Sequence, residues 1–555
     1  MTIVSSSQTQ TVSSGHTSNG VIVLAGGELD VLRGGHATKT VISGGGLADF
    51  GVTSGTIISS GGQEIIESGG TATGTIVRNG GRQFVEHGAT AGKTTVSSGG
   101  AIQLDSGGVA SGATILSSGQ EFVEGASTAI STVIQSGGYA QIDTGGKALM
   151  AVVSSGATMV VNSGATASGT TVRGEEVAEG GTTIGAQVFN GALQLVGSAG
   201  TARGTSLSGI SAGLFGTGGA HQEVQAGGVA SATIVGSGGI QLIDGGGSAH
   251  ATVVKNGGTI QWAGGATVTG ATISSGGTEV LYDGGSISGT TIGNGVTLVV
   301  EQVESGGNVL PAGSATNVTI ASGGTILDVG GAITGLNLKS GGTEVVTEGG
   351  VVSGTTIGRG AKLVVSNQGV ASAVTILSGG EIVYAGGEFA GITVSSGGTE
   401  AVTSGTTVSG ITVTSGAALI VSSGAAAINI ALSGGTETVS EGGLIGGTVD
   451  FAAKSSLSVA GTIGDTLMTT NFAAGDSIDL ASYGFSASTK FSFKENESET
   501  AGVLSITDGA LKASITLFGQ YVATGFKLAS DKGTGTAITY VEPAAAHGDL
   551  AKSHG

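Results

Sequence analysis

Carboxylates recur every 19 residues in the first third of the chain, and this spacing is the first pattern with chemical consequences. The acidic row consists of Glu67, Glu86, Asp105, Glu124 and Asp143. If each 19-residue segment is one turn of a stacked structure, these side chains lie about 5 Å apart along one edge. Carboxylates so close together repel each other, which raises their pKa values or recruits a hard cation such as Ca²⁺. The row therefore predicts a divalent-cation site, with a solvated acidic edge as the alternative.

Pairs of serines form a second recurring polar feature, beside glycine pairs. Hydroxyls in such places usually hydrogen-bond to the local backbone of a turn. Where they are exposed in dense rows, they would also serve as acceptors for O-linked sugar. The candidate residues are Ser59, Ser60, Ser97, Ser98, Ser274, Ser275, Ser395 and Ser396.

The repeat that positions these residues consists of short strand-forming runs separated by glycine turns. Aliphatic residues recur three residues before the first turn glycine, as at Ile58 and Val77, and five residues after it, as at Ile66 and Val85. β-Branched runs favour strands, and Gly-Gly ends them by permitting a positive φ. Neither strand can bury enough apolar surface alone, so successive turns must stack. The pattern predicts an all-β parallel β-helix (β-solenoid) of about 20 coils with 18–19-residue repeats.

The repeat divides the chain into four segments. Residues 1–40 are an N-terminal entry or cap, and residues 41–450 are the solenoid, with register breaks near 174–217 and 301–322. Residues 451–542 are richer in charged and aromatic residues than the repeats. This composition predicts that they form a small β-rich cap and possible secretion domain. Its clearest element is a hairpin with Asp508-Gly509 as a type I′ turn. Residues 543–555 read as a disordered tail.

Composition excludes several classes of function. The net charge of −19 argues against nucleic-acid binding, which needs a basic face. No apolar run approaches the roughly 20 residues of a membrane helix, so the chain is not expected to span a membrane. Without cysteine there is no thiol nucleophile, and no cofactor motif is present. Polysaccharide-active β-helix enzymes need acids clustered with Arg or Lys, whereas the 19 basic residues here are scattered. Such an enzyme remains an alternative, as does a structural, ice-binding or crystal-binding rod.

Two phrases carry a family resemblance, SGGTEVVTEGGVVSGTTI at 340–357 and SSGGTEAVTSGTTVSGITVTSGA at 395–417. They resemble the strand–loop–strand passenger repeats of the diffuse-adherence adhesins, the autotransporter family of Gram-negative bacteria that includes antigen 43. The resemblance covers roughly residues 40–450 and implies a right-handed β-helix, surface display, adhesion and, in some members, glycosylated Ser and Thr. The N-terminus lacks the pattern of a signal peptide. About 105 residues follow the repeats, too few for the family's translocator barrel.

We therefore expect an exported bacterial surface or matrix adhesin that acts in cell adhesion, self-association or biofilm formation through long polar faces. Its partners would be neighbouring copies of itself, with host or surface glycans and proteins as further partners. It would reach the cell surface or medium, by type I secretion if the C-terminal segment is the signal. No cofactor other than Ca²⁺ is expected.

Overall fold

The computed structural model describes residues 2–209, 218–305, 308–463, 467–531 and 533–543. The chain folds as two units, residues 1–285 and 286–555, and each is built from parallel β-solenoid coils. Over these described residues the two units together contain about 24 turns, slightly more than the 20 expected from the repeat. The all-β parallel solenoid predicted from the sequence is confirmed.

One coil of the first unit has three strands, each of which belongs to a different sheet. The strand Gln63–Ile66 belongs to sheet 1, Thr71–Thr73 to sheet 2 and Ile76–Val77 to sheet 3. Each pairs in parallel with its counterpart 19 residues later, so that Gln63 faces Arg82 and Ile66 faces Val85. The coil is therefore three-sided.

The same three sheets run through the described part of the first unit. Sheet 1 extends from Thr9–Val12 to Thr278–Leu281. Sheet 2 has 14 strands that begin at Thr17–Asn19 and end at Thr267–Thr269. Sheet 3 has 15 strands, the first at Ile3–Val4.

The two glycines of each turn are needed for different structural reasons, as Gly69 and Gly70 show. Gly69 has a φ of +86°, in the left-handed region that L side chains rarely adopt. Gly70 lies against the preceding coil, where an added Cβ would be 2.0 Å from the carbonyl oxygen of Asp49. The second glycine is therefore required by the close approach of two backbones.

The interior contains the aliphatic columns that the repeat predicts. Ile58 and Val77 before the turn, and Ile66 and Val85 after it, are all 0% exposed. The inward residues of sheet 2 are small, and alanine recurs there at Ala72, Ala91, Ala110, Ala129 and Ala148. Large aliphatic side chains from sheets 1 and 3 therefore pack against a thin wall of alanine.

In the second unit, sheet 1 runs from Thr297–Glu301 to Ser477–Leu480, so coil-like parallel pairing continues beyond residue 450. The step from Thr297 to its partner Thr325 is 28 residues rather than 19. The additional residues include the antiparallel pair Glu304–Ser305 and Asn308–Val309, within the predicted register break at 301–322. The corresponding extra residues of the 174–217 break follow Ser206–Leu207, and those numbered 210–217 lie outside the described residues.

The C-terminal segment adds antiparallel strands to the solenoid. Thr536–Tyr540 pairs with Ser477–Leu480 and with Phe526–Ser530, and a 3₁₀ helix spans Ala523–Gly525. Lys490–Glu495 pairs with the first strand of the predicted hairpin. Of the predicted tail, only residue 543 lies within the described residues.

The predicted hairpin is present, but its turn was wrongly assigned. Ala501–Asp508 pairs with Leu511–Phe518, and Asp508 is itself paired with Leu511. The two-residue loop is therefore Gly509-Ala510 rather than Asp508-Gly509. Only Gly509 has a positive φ, of +60°, which is the pattern of a type II′ turn. Alanine resists the positive φ that a type I′ turn needs at both positions, so the glycine takes the first.

Candidate functional site

The structure brings the five predicted carboxylates into one row beside sheet 1. Each follows the last residue of a sheet 1 strand, and those strands pair in register from Gln63–Ile66 to Tyr139–Ile142. All five side chains are half-buried. Burial, followed by repulsion from the neighbouring Asp105 and Glu67, raises the pKa of Glu86. Burial, followed by repulsion from Asp105 and Asp143, raises the pKa of Glu124.

Neighbouring amides already engage part of this acidic row. The Gln103 Nε2 atom donates to Asp105 Oδ1 at 3.1 Å, and the Asn162 Nδ2 atom donates to Asp143 Oδ1 at 2.6 Å. Within the described ranges, no group of three or more His, Cys, Asp or Glu side chains is arranged to hold a metal ion. Cation binding by the row therefore stays a prediction.

The eight predicted serines all lie at or beside the turn that leads into a sheet 1 strand. Ser60, Ser98, Ser274, Ser275 and Ser396 are exposed, whereas the other three are half-buried. The serines of one coil lie next to the glycines of the following coil. For example, a Cβ added to Gly416 would be 2.2 Å from the Ser396 Oγ atom. The hydroxyls therefore lie in rows along the turn edge, and their glycosylation stays a prediction.

Sequence reasoning missed a second polar column, which lies inside the solenoid. Its members sit on sheet 1 two positions before the Ile66-type column, and each is at most 3% exposed. Side chains two residues apart on a strand point to the same face, so the position of these residues two before the inward aliphatic column predicts that they point inward. The members are Glu64, Gln83, Glu121, Glu176, Gln194, Gln222, Gln241, Glu279, Glu344, Glu400 and Glu437.

In the first unit, much of this buried column is hydrogen-bonded from coil to coil. The Gln241 Nε2 atom donates to Gln222, Gln222 donates to Gln194, and Gln194 donates to Glu176, each at 2.7 Å. Threonines 11 residues after each glutamine donate to its carbonyl oxygen, as Thr205 does to Gln194 at 2.9 Å. The amides thus form a ladder inside the core.

Burial favours the neutral form of the buried carboxyls by raising their pKa values. Burial, reinforced by the nearby Glu64, raises the pKa of Asp49 from 3.8 to about 7. Burial raises the pKa of Glu121 to about 7 and that of Glu437 to about 8. Among the described residues, neither carboxyl oxygen of Glu437 or of Glu344 has a hydrogen-bond partner. These groups face the interior and are not available to solvent.

Comparison with known proteins places this geometry in a family. A family model described as "Adhesin of bacterial autotransporter system, probable stalk" matches residues 65–120. The crystal structure of the TibC-catalysed hyper-glycosylated TibA55-350 fragment is 32% identical, and the match covers 48% of this chain and 98% of that chain. The chain belongs to the autotransporter adhesin family. The TM-score to that fragment is 0.46, so the assignment rests on sequence identity over nearly its whole length.

Membership of the autotransporter adhesins implies an extracellular or cell-surface location. The tailspike protein gp49 of the Acinetobacter baumannii bacteriophage Fri1, a capsular polysaccharide depolymerase, is 9% identical, with a TM-score of 0.16 over 79% of this chain and 77% of that chain. At that level the likeness says nothing about function. No curated protein matches the sequence. No helix in the described part of the chain is long and apolar enough to cross a membrane.

Proposed function

We propose that this autotransporter adhesin is non-enzymatic and associates with copies of itself through the outer face of sheet 2 in the first unit. The observation that supports the proposal is that this face combines many hydroxyls with an absence of carboxylates; the described strands of sheet 3 also lack Asp and Glu, but their outward residues are mostly aliphatic. The described chain segment from 17 to 269 contributes 14 strands to sheet 2, and none of them contains Asp or Glu. The whole chain nevertheless carries a net charge of −19. The outward hydroxyl residues of this face are Thr17, Thr38, Ser54, Thr71, Thr73, Thr90, Ser111, Thr128, Thr166, Ser168, Thr182, Thr201, Ser231, Ser248, Thr267 and Thr269.

A face of this kind suits contact between like-charged molecules. Repulsion between two chains of charge −19 opposes approach through acidic surfaces, but much less through a surface without carboxylates. Each hydroxyl contact contributes only about 0.5–1.5 kcal/mol. Many such contacts along a repetitive face add up, which gives avidity without a deep binding pocket. This mechanism would support cell adhesion and biofilm formation.

The arrangement of charges also supports a non-enzymatic role. A polysaccharide-active site needs acids clustered with basic residues on one face. The described residues contain one ion pair, Lys362 with Glu381 at 3.4 Å, between half-exposed side chains. Apart from Glu400, which lines a cavity in the second unit, the buried acids point into the closed core, where a polymeric substrate has no access.

An ice-binding rod would need a regular array of Thr-X-Thr strands on one face. In sheet 2 the strands Thr71–Thr73 and Thr267–Thr269 have this Thr-X-Thr sequence. Intervening strands replace the second threonine, for example with Ile130 and Arg203. The array is interrupted, which favours adhesion over ice or crystal binding.

Three finer features belong to this proposal. The acidic row binds Ca²⁺, the turn serines accept O-linked sugar, and the C-terminal segment directs export by type I secretion. The hyper-glycosylated state of the TibA fragment supports the second feature. Co-expression with TibC followed by intact-mass measurement tests it, and an unchanged mass would contradict it.

Introducing negative charges on one face at a time tests the self-association. Thr71→Glu, Thr128→Glu and Thr182→Glu together place three carboxylates on sheet 2. Thr95→Glu, Thr114→Glu and Thr171→Glu place three on sheet 3 at sites that are equally half-buried. Sedimentation velocity of the purified chain should show oligomers for the wild type and the sheet 3 variant, and monomers for the sheet 2 variant. Equal association of all three proteins would refute the proposal.

A further inference from the structure

A cleft opens in the second unit where two of the three sheets stop pairing. Their strands Glu388–Ala390 and Thr393–Val394 are the last of two six-stranded sheets. The corresponding strands of the next coil, Thr407–Ser409 and Thr412–Thr414, belong to a different sheet, while sheet 1 stays paired across the gap. The resulting cavity has a volume of about 420 Å³. The two lips do not pair as strands, although the Thr414 Oγ1 atom of one lip donates to the Val394 carbonyl oxygen of the other at 2.6 Å.

The cleft has a local cause in two aromatic side chains of one coil. Phe389 lies in the strand Glu388–Ala390, at an inward position where the preceding coil has Ala371. Tyr384 is also inward, and the two rings meet edge to face with centroids 4.1 Å apart. A coil that holds both rings cannot close against the next coil at the spacing that alanine allows. Phe389 therefore stays half-buried on the wall of the cavity.

The inner end of the cavity holds a carboxyl with unused hydrogen-bonding capacity. The Tyr384 hydroxyl donates to Glu400 Oε1 at 2.5 Å. Glu400 is 2% exposed and lines the cavity, and its Oε2 atom has no partner among the described residues. An unsatisfied buried carboxyl oxygen costs about 1–3 kcal/mol or more. A ligand that donates a hydrogen bond at this point would remove that cost.

We propose that this cleft binds a carbohydrate, one or two pyranose rings in size. The half-buried ring of Phe389 offers an apolar surface for the C–H face of a sugar ring, and the buried Tyr384 ring supports it from behind. Glu400 Oε2 accepts from a ring hydroxyl at the inner end, and Thr407 and Ser409 line the mouth. Pockets of about 300–1,000 Å³ with apolar walls and a few placed polar groups are typical of small-molecule sites.

This site is independent of the self-association proposed above. The hydroxyl face of sheet 2 lies in the first unit, whereas every residue of the cleft lies in the second. Loss of sugar binding would leave association intact, and the reverse also holds. The two proposals can therefore fail separately.

Isothermal titration of the full chain with methyl glucoside, methyl galactoside, methyl mannoside, N-acetylglucosamine and cellobiose tests the site. Glu400→Leu removes the carboxyl and adopts the residue type of its sheet 1 neighbours Ile382 and Leu419. Glu344→Leu is the matched control, because Glu344 is equally buried in the same column between Ile326 and Leu363. It does not line the cavity. Phe389→Ala removes the aromatic wall.

At least one sugar should bind the wild type and the Glu344→Leu variant with equal affinity. Glu400→Leu and Phe389→Ala should weaken that binding at least tenfold, which corresponds to about 1.4 kcal/mol. If Glu400→Leu fails to fold, Glu400→Gln should weaken binding instead, because the single amide oxygen is engaged by the Tyr384 hydroxyl and the amide nitrogen cannot accept from a sugar hydroxyl. The proposal is overturned if no sugar in the panel binds saturably, if the cleft variants bind as well as the control, or if tetra-alanine binds the cleft in place of a sugar.

Discussion

A single buried carboxyl, Glu437, should make the chain less stable as the pH rises. Glu437 is 0% exposed on sheet 1 between Leu419 and Leu457, and neither of its oxygens has a partner among the described residues. Burial raises its pKa from 4.5 to about 8. The folded state therefore retains the proton up to about pH 8, whereas the unfolded state releases it near pH 4.5.

The sign and size of the effect follow from this difference in proton binding. Between pH 4.5 and pH 8 the folded state binds more protons, so the free energy of unfolding falls as the pH rises. The slope approaches 1.36 kcal/mol per pH unit for one group. At pH 7 the accumulated loss from Glu437 is about 3 kcal/mol relative to pH 4.

Glu437→Leu removes this term and matches the leucines on either side. We expect the variant to be more stable than the wild type by at least about 3 kcal/mol at pH 7, and by clearly less at pH 4. Urea unfolding of both proteins, followed by circular dichroism from pH 4 to pH 8, measures the difference. The other buried carboxyls are present in both proteins and cancel.

Glu441→Leu is the control, because Glu441 is exposed in the turn that follows the same strand. It removes one exposed carboxyl and therefore separates the effect of burial from the loss of one charge. The reasoning is refuted if Glu437→Leu has the same effect at pH 4 as at pH 7, or if it destabilises the protein at both.

Three further predictions test the interior, the turns and the acidic row. Gln194→Leu breaks the amide ladder and leaves buried partners unpaired, so the free energy of unfolding should fall by about 2–5 kcal/mol. The control Gln103→Leu, on the outer face, should lower it by less than about 1 kcal/mol. Equal urea midpoints for the two variants would contradict this prediction. Gly70→Ala places a Cβ 2.0 Å from a carbonyl oxygen and should prevent correct folding. At Gly74 the φ is +68° but no atom lies within 4 Å of an added Cβ, so Gly74→Ala should lower the free energy of unfolding by only about 1–2 kcal/mol. Similar melting temperatures for the two variants would argue against the close packing. Calcium should raise the melting temperature of the wild type, but not that of a variant with all five acidic-row residues changed to amides; no shift in the wild type would exclude cation binding there.

The sequence was sufficient for the features that repeat in every coil. The positions of Ile58 and Ile66 relative to the glycines require an inward column, because a strand alternates its faces and a glycine pair fixes the register. The same alternation implies that Glu64 points inward, although a carboxylate there conflicts with the rule that charges stay outside. Only its partners, Gln83 and two threonines, make that burial tolerable, and they come from other parts of the chain.

Features that depend on how one coil departs from its neighbours could not be predicted. The cleft at Phe389 arises because the rings of Tyr384 and Phe389 meet inside one coil and keep the next coil, at Thr407–Thr412, from closing against it. The sequence does not show that the two rings meet. The turn at Gly509 depends on which residue begins the loop, and a shift of one residue changes the turn type. Beyond residue 450 the repeat fades from the sequence, yet parallel pairing continues to Ser477–Leu480 because backbone hydrogen bonds do not require the repeat's side chains.

Expression of the full chain in its native bacterium tests the central claim most directly. Cell fractionation and settling assays would be compared for the wild type and the sheet 2 variant with Thr71→Glu, Thr128→Glu and Thr182→Glu. Both proteins should reach the cell surface or medium, and only the wild type should clump the cells. Retention of the wild type inside the cell, or equal clumping by both proteins, would contradict the account.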